Sequence, residues 1–121
     1  MMRDGFYASW HGVEYEASPE GDRVRLYAGG PEEGFTETAS GRYVRVVPPQ
    51  EIDHLAYVKT RCTWHGHPFQ VLGEHEDWVR VEYTGGRTPV AEELGLDMFD
   101  RGVYQSWAPR DELQDVREEL I

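Results

Sequence analysis

The chain has one cysteine, Cys62, and one lysine, Lys59, among 121 residues. A single thiol excludes an internal disulfide framework. No apolar run approaches the roughly 18 residues of a membrane-spanning helix. The start Met1-Met2-Arg3-Asp4-Gly5 has no signal-peptide core. A cytoplasmic protein with no membrane partner is therefore expected. Positive charge is scarce: 12 Lys+Arg stand against 23 Asp+Glu, a formal net charge of −11. Phosphate neutralisation needs a basic face, so nucleic acid is excluded as a direct partner. Gly29-Gly30 and Gly85-Gly86 are followed by no helix-opening Lys-Ser/Thr, so no phosphate-cradling loop is present. The preference for arginine, with many Val, Gly and acidic residues, resembles coding from a GC-rich genome of the actinobacterial type.

Aromatic residues, by contrast, make up 12 % of the chain. That is too many for a disordered acidic tail, and the length suits one ordinary domain or two very small ones.

An internal repeat organises the sequence. Trp10-His11-Gly12 recurs as Trp64-His65-Gly66, 54 residues later. Tyr15 then matches Phe69, Glu20 matches Glu74, and Asp22 matches Asp77. Val24-Arg25-Leu26 matches Val79-Arg80-Val81, and Gly29-Gly30 matches Gly85-Gly86. Gly41-Arg42-Tyr43 matches Gly102-Val103-Tyr104, followed by Pro48 with Pro109, Glu51 with Glu112, Ile52 with Leu113 and Leu55 with Val116. The charge divides almost evenly. Residues 1–56 hold five basic and ten acidic residues, and residues 57–121 hold seven and thirteen.

Each half reads as short strands. Phe6, Ala8 and Trp10 alternate with Tyr7, Ser9 and His11; Thr60, Cys62 and Trp64 alternate with Lys59, Arg61, Thr63 and His65. The charged face is the wet one, so Trp10 and Trp64 should point inward and His11 and His65 outward. Gly12 and Gly66 imply a bulge or sharp bend. A second strand carries Val24 and Leu26, or Val79, Val81 and Tyr83, and ends at the Gly-Gly turn. A third begins near Tyr43 or Tyr104. The stretches after Pro48 and Pro109 read as single helical turns, with Ile52/Leu55 and Leu113/Val116 spaced to pack inward.

Those features are an early aromatic strand, a Gly bend, a Gly-Gly turn and a closing Gly-x-Tyr…Pro…Leu segment. They cover most of both halves and resemble a small β-barrel of the Src-homology-3-like type. The resemblance implies a mainly β fold of two tandem barrels, residues 1–56 and 57–121. It carries over no ligand, because the proline-peptide groove of the signalling members is not identifiable. The junction Leu55-Ala56-Tyr57-Val58 has no flexible linker composition, so the repeats should pack as one cooperative pseudo-twofold body.

The halves differ in two ways. Ten residues separate Gly30 from Gly41, whereas fifteen separate Gly86 from Gly102. The insertion, at about 87–100, carries Val90, Leu94, Leu96, Met98 and Phe99 among Glu92, Glu93, Asp97 and Asp100. Pro89 to Leu94 reads as a short helix with Pro in its first turn and Gly95 past its end. It either caps a barrel end or presents an acidic-hydrophobic contact surface. In addition, Trp78 replaces Arg23 and Trp107 replaces Val46, and an outward Trp between Asp77 and Arg80 would anchor a partner.

The candidate partner-binding residues are thus Trp78, Arg80, Glu92, Glu93, Asp97, Phe99, Trp107, His11 and His65. Cys62-x-x-His65-x-His67, with His75 beyond, resembles part of a zinc site. Strand alternation sends Cys62 away from His65 and His67, so no metal is expected. No nucleophile pattern accompanies His11 or His65, and no catalytic residue or cofactor is assigned. Glu92-Glu93 and Glu118-Glu119 are adjacent pairs and read as solvated charge.

The expected function is a non-enzymatic protein-binding module, of the kind exemplified by acidic immunity-type inhibitors that dock on a basic protein. The alternatives are a structural or regulatory homo-oligomerising module and a small enzyme using His11 or His65; the protein itself is expected to be a monomer or homodimer.

Overall fold

Left-handed backbone marks the sharpest corners of the chain. His11 and Gly12 have φ of 53° and 77° and form the two-residue turn between the paired residues Trp10 and Val13. His65 and Gly66, at 52° and 77°, do the same between Trp64 and His67. Two positive φ values in succession define the type I′ hairpin, whose twist matches that of its strands. The predicted bend is therefore a full chain reversal.

The computed structural model describes residues 2–121. The strands are β1 (Gly5–Trp10), β2 (Val13–Glu20), β3 (Arg23–Ala28), β4 (Thr36–Ala39), β5 (Arg42–Val47) and β6 (His54–Trp64). They continue as β7 (His67–His75), β8 (Trp78–Tyr83), β9 (Asp97–Asp100), β10 (Val103–Pro109) and β11 (Gln114–Leu120). A single helix, α1 (Thr88–Glu93), lies between β8 and β9. Single 3-10 turns, Pro49–Glu51 and Arg110–Glu112, precede β6 and β11. The protein is thus mainly β, an open antiparallel sheet of 11 strands.

Internal contacts divide the chain into two compact units. One is residues 5–58 with Ile121. Its pairing order is β4-β5-β3-β2-β1, with β1 also bonded to β6 between His54 and Val58. Its core is Ala8, Trp10, Tyr15, Ala17, Val24, Leu26 and Val47, with Phe35 and Ile52 packed against it. Arg45 sets its guanidinium carbon 4.7 Å from the Trp10 ring centre.

The other unit is residues 2–4 and 59–120. Its order is β6-β7-β8-β10-β9, and β11 pairs with β6. Its core is Cys62, Trp64, Phe69, Val71, Val79, Val81 and Ala108, with Leu94, Leu96 and Leu113 packed against it. Burying an apolar side chain such as Phe69 contributes roughly 1.5–3 kcal/mol. The N-terminal residues are tied in by polar contacts. The Met2 N–H donates to Glu74 at 2.9 Å, Arg3 pairs with Glu118 at 2.7 Å, and the Arg3 carbonyl accepts from the Thr60 hydroxyl at 2.8 Å.

Alternation works as expected at Trp10 and Trp64, 6 % and 8 % exposed. Elsewhere the pattern reading departs from the structure. Leu55 and Val116 are 41 % and 46 % exposed rather than inward. Each helical turn lasts only three residues, so helical spacing brings in Ile52 and Leu113 but does not reach the strand beyond. Phe6 is also exposed and sets its ring edge against Tyr57, centroids 4.8 Å apart. The short strands β4 and β9 have every residue exposed, so no alternation announced them. The segments after the two hairpin turns are long strands, β2 and β7. The β7–β8 ladder slips between Val71 and Gly73, a bulge that absorbs one residue more than β2 contains.

Candidate functional site

The two substituted tryptophans occupy the solvent face of neighbouring strands. On β8, Val79 and Val81 point into the core, which leaves Trp78, Arg80 and Glu82 on the opposite face. On β10, Ala108 points inward and Gln105, Trp107 and Pro109 share the outer face. The register sets Trp78 opposite Pro109, Arg80 opposite Trp107 and Glu82 opposite Gln105. Trp78 and Trp107 are therefore diagonal neighbours, within reach of large side chains. Each is 47 % exposed. With His75, which faces Trp78 from β7, they line a shallow and almost wholly apolar concavity of about 320 Å³.

Polar contacts hold this face. The Arg80 guanidinium carbon lies 5.6 Å from the Trp107 ring centre. Its Nε donates to Gln105 Oε1 at 3.3 Å, and its Nη1 lies 3.8 Å from Asp97 Oδ2. Gln105 Nε2 in turn donates to Glu82 Oε1 at 3.1 Å. Arg80 is thus a fixed element of the surface rather than a loose cation.

Beside Trp78 lies a second concavity, of about 660 Å³, lined by Asp77, Trp78, Pro109, Arg110 and Asp111. Its two rims are joined by the Arg110 N–H, which donates to the Asp77 carbonyl at 2.8 Å. The Arg110 guanidinium is committed to the Glu74 carboxylate and to the Glu76 carbonyl, the latter at 2.7 Å. The hydrogen bond from Arg110, then the one from the Met2 N–H, hold the Glu74 carboxyl below its ordinary range.

Of the residues singled out by sequence, Trp78, Arg80, Asp97 and Trp107 come together here. Phe99 is 71 % exposed on the short strand β9 and has no ring contact among the described residues. Glu92 and Glu93 are exposed on α1, which buries Ala91. Among the described residues, no hydrogen bond or ion pair engages either glutamate's carboxylate. His65 lies with its ring centre 4.4 Å from that of Trp64, and its Nε2 is 4.0 Å from Glu112. His11, in the other unit, stacks on Trp10 at 3.9 Å. Both histidines are turn residues shielding a tryptophan. Cys62 is buried, and burial pushes its thiol up; His67 meets Tyr83 edge to face.

Sequence weighed His75 only as a zinc ligand and Asp77 only as the neighbour of Trp78, and it singled out none of Pro109, Arg110 and Asp111 for this face. Asp77 adjoins Trp78 in sequence, but the other rim lies more than thirty residues away, and only the β8–β10 pairing unites them.

A family model matches residues 2–120. The chain belongs to the family described as uncharacterised conserved protein UCP033725. No curated protein and no solved structure matches it. The family's matched span takes in all eleven strands and both concavities. No helix among the described residues is long and apolar enough to cross a membrane.

Proposed function

We propose that this protein is a non-enzymatic, cytoplasmic protein-binding module that docks on a basic partner in the manner of an immunity-type inhibitor. The observation that carries this reading is the pair Trp78 and Trp107, half exposed and adjacent on a face braced by Arg80. Tryptophan and arginine dominate binding hot spots, and two exposed indoles on one rigid sheet face suit a central anchor. The net charge of −11 would speed encounter with a basic protein and make binding salt-sensitive.

The same reading takes the two halves as tandem Src-homology-3-like barrels, residues 1–56 and 57–121. Support comes from their matching internal order. Each contains a Trp-His-Gly hairpin, a further hairpin, a short strand and its partner, a 3-10 turn after a proline, and a closing strand. In each, the hairpin tryptophan donates to the glutamate of the 3-10 turn.

The test is co-elution of the chain with the separately purified product of each flanking gene. A basic product should form a complex that weakens as salt rises, and W78A/W107A should lose it. The inhibitor reading falls if no flanking product is basic, or if the complex survives loss of both indoles.

A second reading, self-association, is favoured by Met98 and Phe99, 66 % and 71 % exposed on β9 at the end of the strand order. Exposed edges invite pairing with another chain. A light-scattering mass that stays at one protomer up to high concentration would exclude it.

A further inference from the structure

The concavity beside Trp78 has the chemistry of a receptor for one side chain. We propose that it receives an arginine of the partner protein, a specificity that rests on the protein-binding reading given above. Three observations converge on a planar cation.

The first is the walls. The exposed Trp78 indole lies opposite Pro109 across the β8–β10 ladder, and both line the concavity. A guanidinium stacks on an indole face and is weakly hydrated, so it leaves water for such a surface more readily than an ammonium does.

The second is the charge. Asp77 and Asp111 line opposite rims, and among the described residues neither carboxylate has a hydrogen bond or ion pair. Arg110, the cation that also lines the site, is neutralised by Glu74 and held by the Glu76 carbonyl. The site therefore presents two uncommitted negative charges, and its own positive charge is already answered.

The third is rigidity. The Arg110 N–H to Asp77 carbonyl bond ties the two rims together across the ladder. The residue before Asp77 starts a two-residue turn between the paired His75 and Trp78. Both carboxylates are thus carried on constrained backbone, which lowers the ordering cost of binding. In the other unit the residues matched to Trp78, Arg110 and Asp111 are Arg23, Pro49 and Gln50. The site belongs to residues 59–120 alone.

The experiment follows the indole N–H signals of the ¹⁵N-labelled full chain during titration. Trp10 and Trp64 serve as internal controls, and the probes are N-acetyl-argininamide, N-acetyl-lysinamide and N-acetyl-citrullinamide. Argininamide should shift the Trp78 signal saturably with a dissociation constant in the millimolar range. Citrullinamide, the same shape without charge, should bind at least about tenfold more weakly, and D77N/D111N should lower argininamide affinity by a similar factor. Equal binding of argininamide and citrullinamide overturns the proposal, as does wild-type affinity in D77N/D111N. Equal binding of lysinamide overturns the choice of arginine. A partner whose complex is lost with W78A/W107A but kept with D77N/D111N leaves the protein-binding reading standing and overturns this site alone.

Discussion

The Trp64 indole N–H donates to the Glu112 carboxylate across 3.0 Å, and the Trp10 indole makes the corresponding bond to Glu51 at 3.4 Å. Each bond fastens a 3-10 turn to the Trp-His-Gly hairpin of the same unit. It also satisfies the polar edge of a ring that is otherwise buried. E112A should cost about 1 kcal/mol, the usual net value of a partly exposed hydrogen bond. E51A should cost less, because its bond is longer. Thermal melts of both variants check the order; equal losses would overturn the distance argument, and no loss in either would show that burial alone holds the indoles.

Glu74 predicts a dependence on pH. Its folded carboxyl titrates below the ordinary value of 4.5, first because Arg110 bonds to the carboxylate and next because the Met2 N–H does. A group depressed in the folded state contributes stability above its unfolded pKa, and that contribution disappears as pH falls through the lowered folded value. Glu118, lowered chiefly by its bond from Arg3, acts in the same direction. Urea midpoints should therefore fall on acidification below about pH 4.5, and less steeply for E74Q. Parallel curves for E74Q and wild type would remove Glu74 from the account.

Cys62 should be silent in the native protein. It is 2 % exposed and its thiol is raised by burial. The thiolate is the reactive form, so both factors slow attack. A thiol-reactive chromophore should label it only at the rate of unfolding, with full reaction in denaturant. Rapid labelling in native buffer would contradict the packing of the β6 core face.

The turn at Glu76 stores removable strain. Glu76 has φ of 54°, a conformation that suits glycine; Gly21 occupies the turn between β2 and β3 at φ 60°. E76G should raise stability by up to about 1 kcal/mol, since a left-handed residue with a Cβ costs roughly 1–2 kcal/mol and added chain freedom returns part of the gain. The contact from Arg110 is to the Glu76 carbonyl and survives the change. A lowered melting temperature would locate a role for the side chain.

The sequence pattern discloses what alternation and matching can encode. Trp10, Trp64, Val79 and Val81 fall where period-two reasoning puts them, and α1 lies where Pro89 and Gly95 frame it. Trp78 and Trp107 stand out because the other half has Arg23 and Val46 at the matched positions. Alternation says nothing about β4 and β9, whose residues are all exposed. His11 and His65 look like strand residues because they continue the alternation of the strands before them, and only the glycine after each one signals the turn. The rim of Asp77 and Asp111 depends on a pairing between residues 78 and 109, a long-range register that no local pattern contains.

Strand β6 has a consequence for the order of synthesis. Its residues 54–58 complete the pairing of β1, so the unit of residues 5–58 has nearly all its partners once Val58 has left the ribosome, Ile121 excepted. Met2 and Arg3 are synthesised well before their partners, since Glu74 and Glu118 lie 72 and 115 residues further along the chain. The N-terminal strap is thus among the last contacts to close. A nascent chain arrested far enough beyond residue 58 for Val58 to have cleared the exit tunnel, but before Glu74 has emerged, should already resist protease across β1–β5 while residues 2–4 remain open to cleavage.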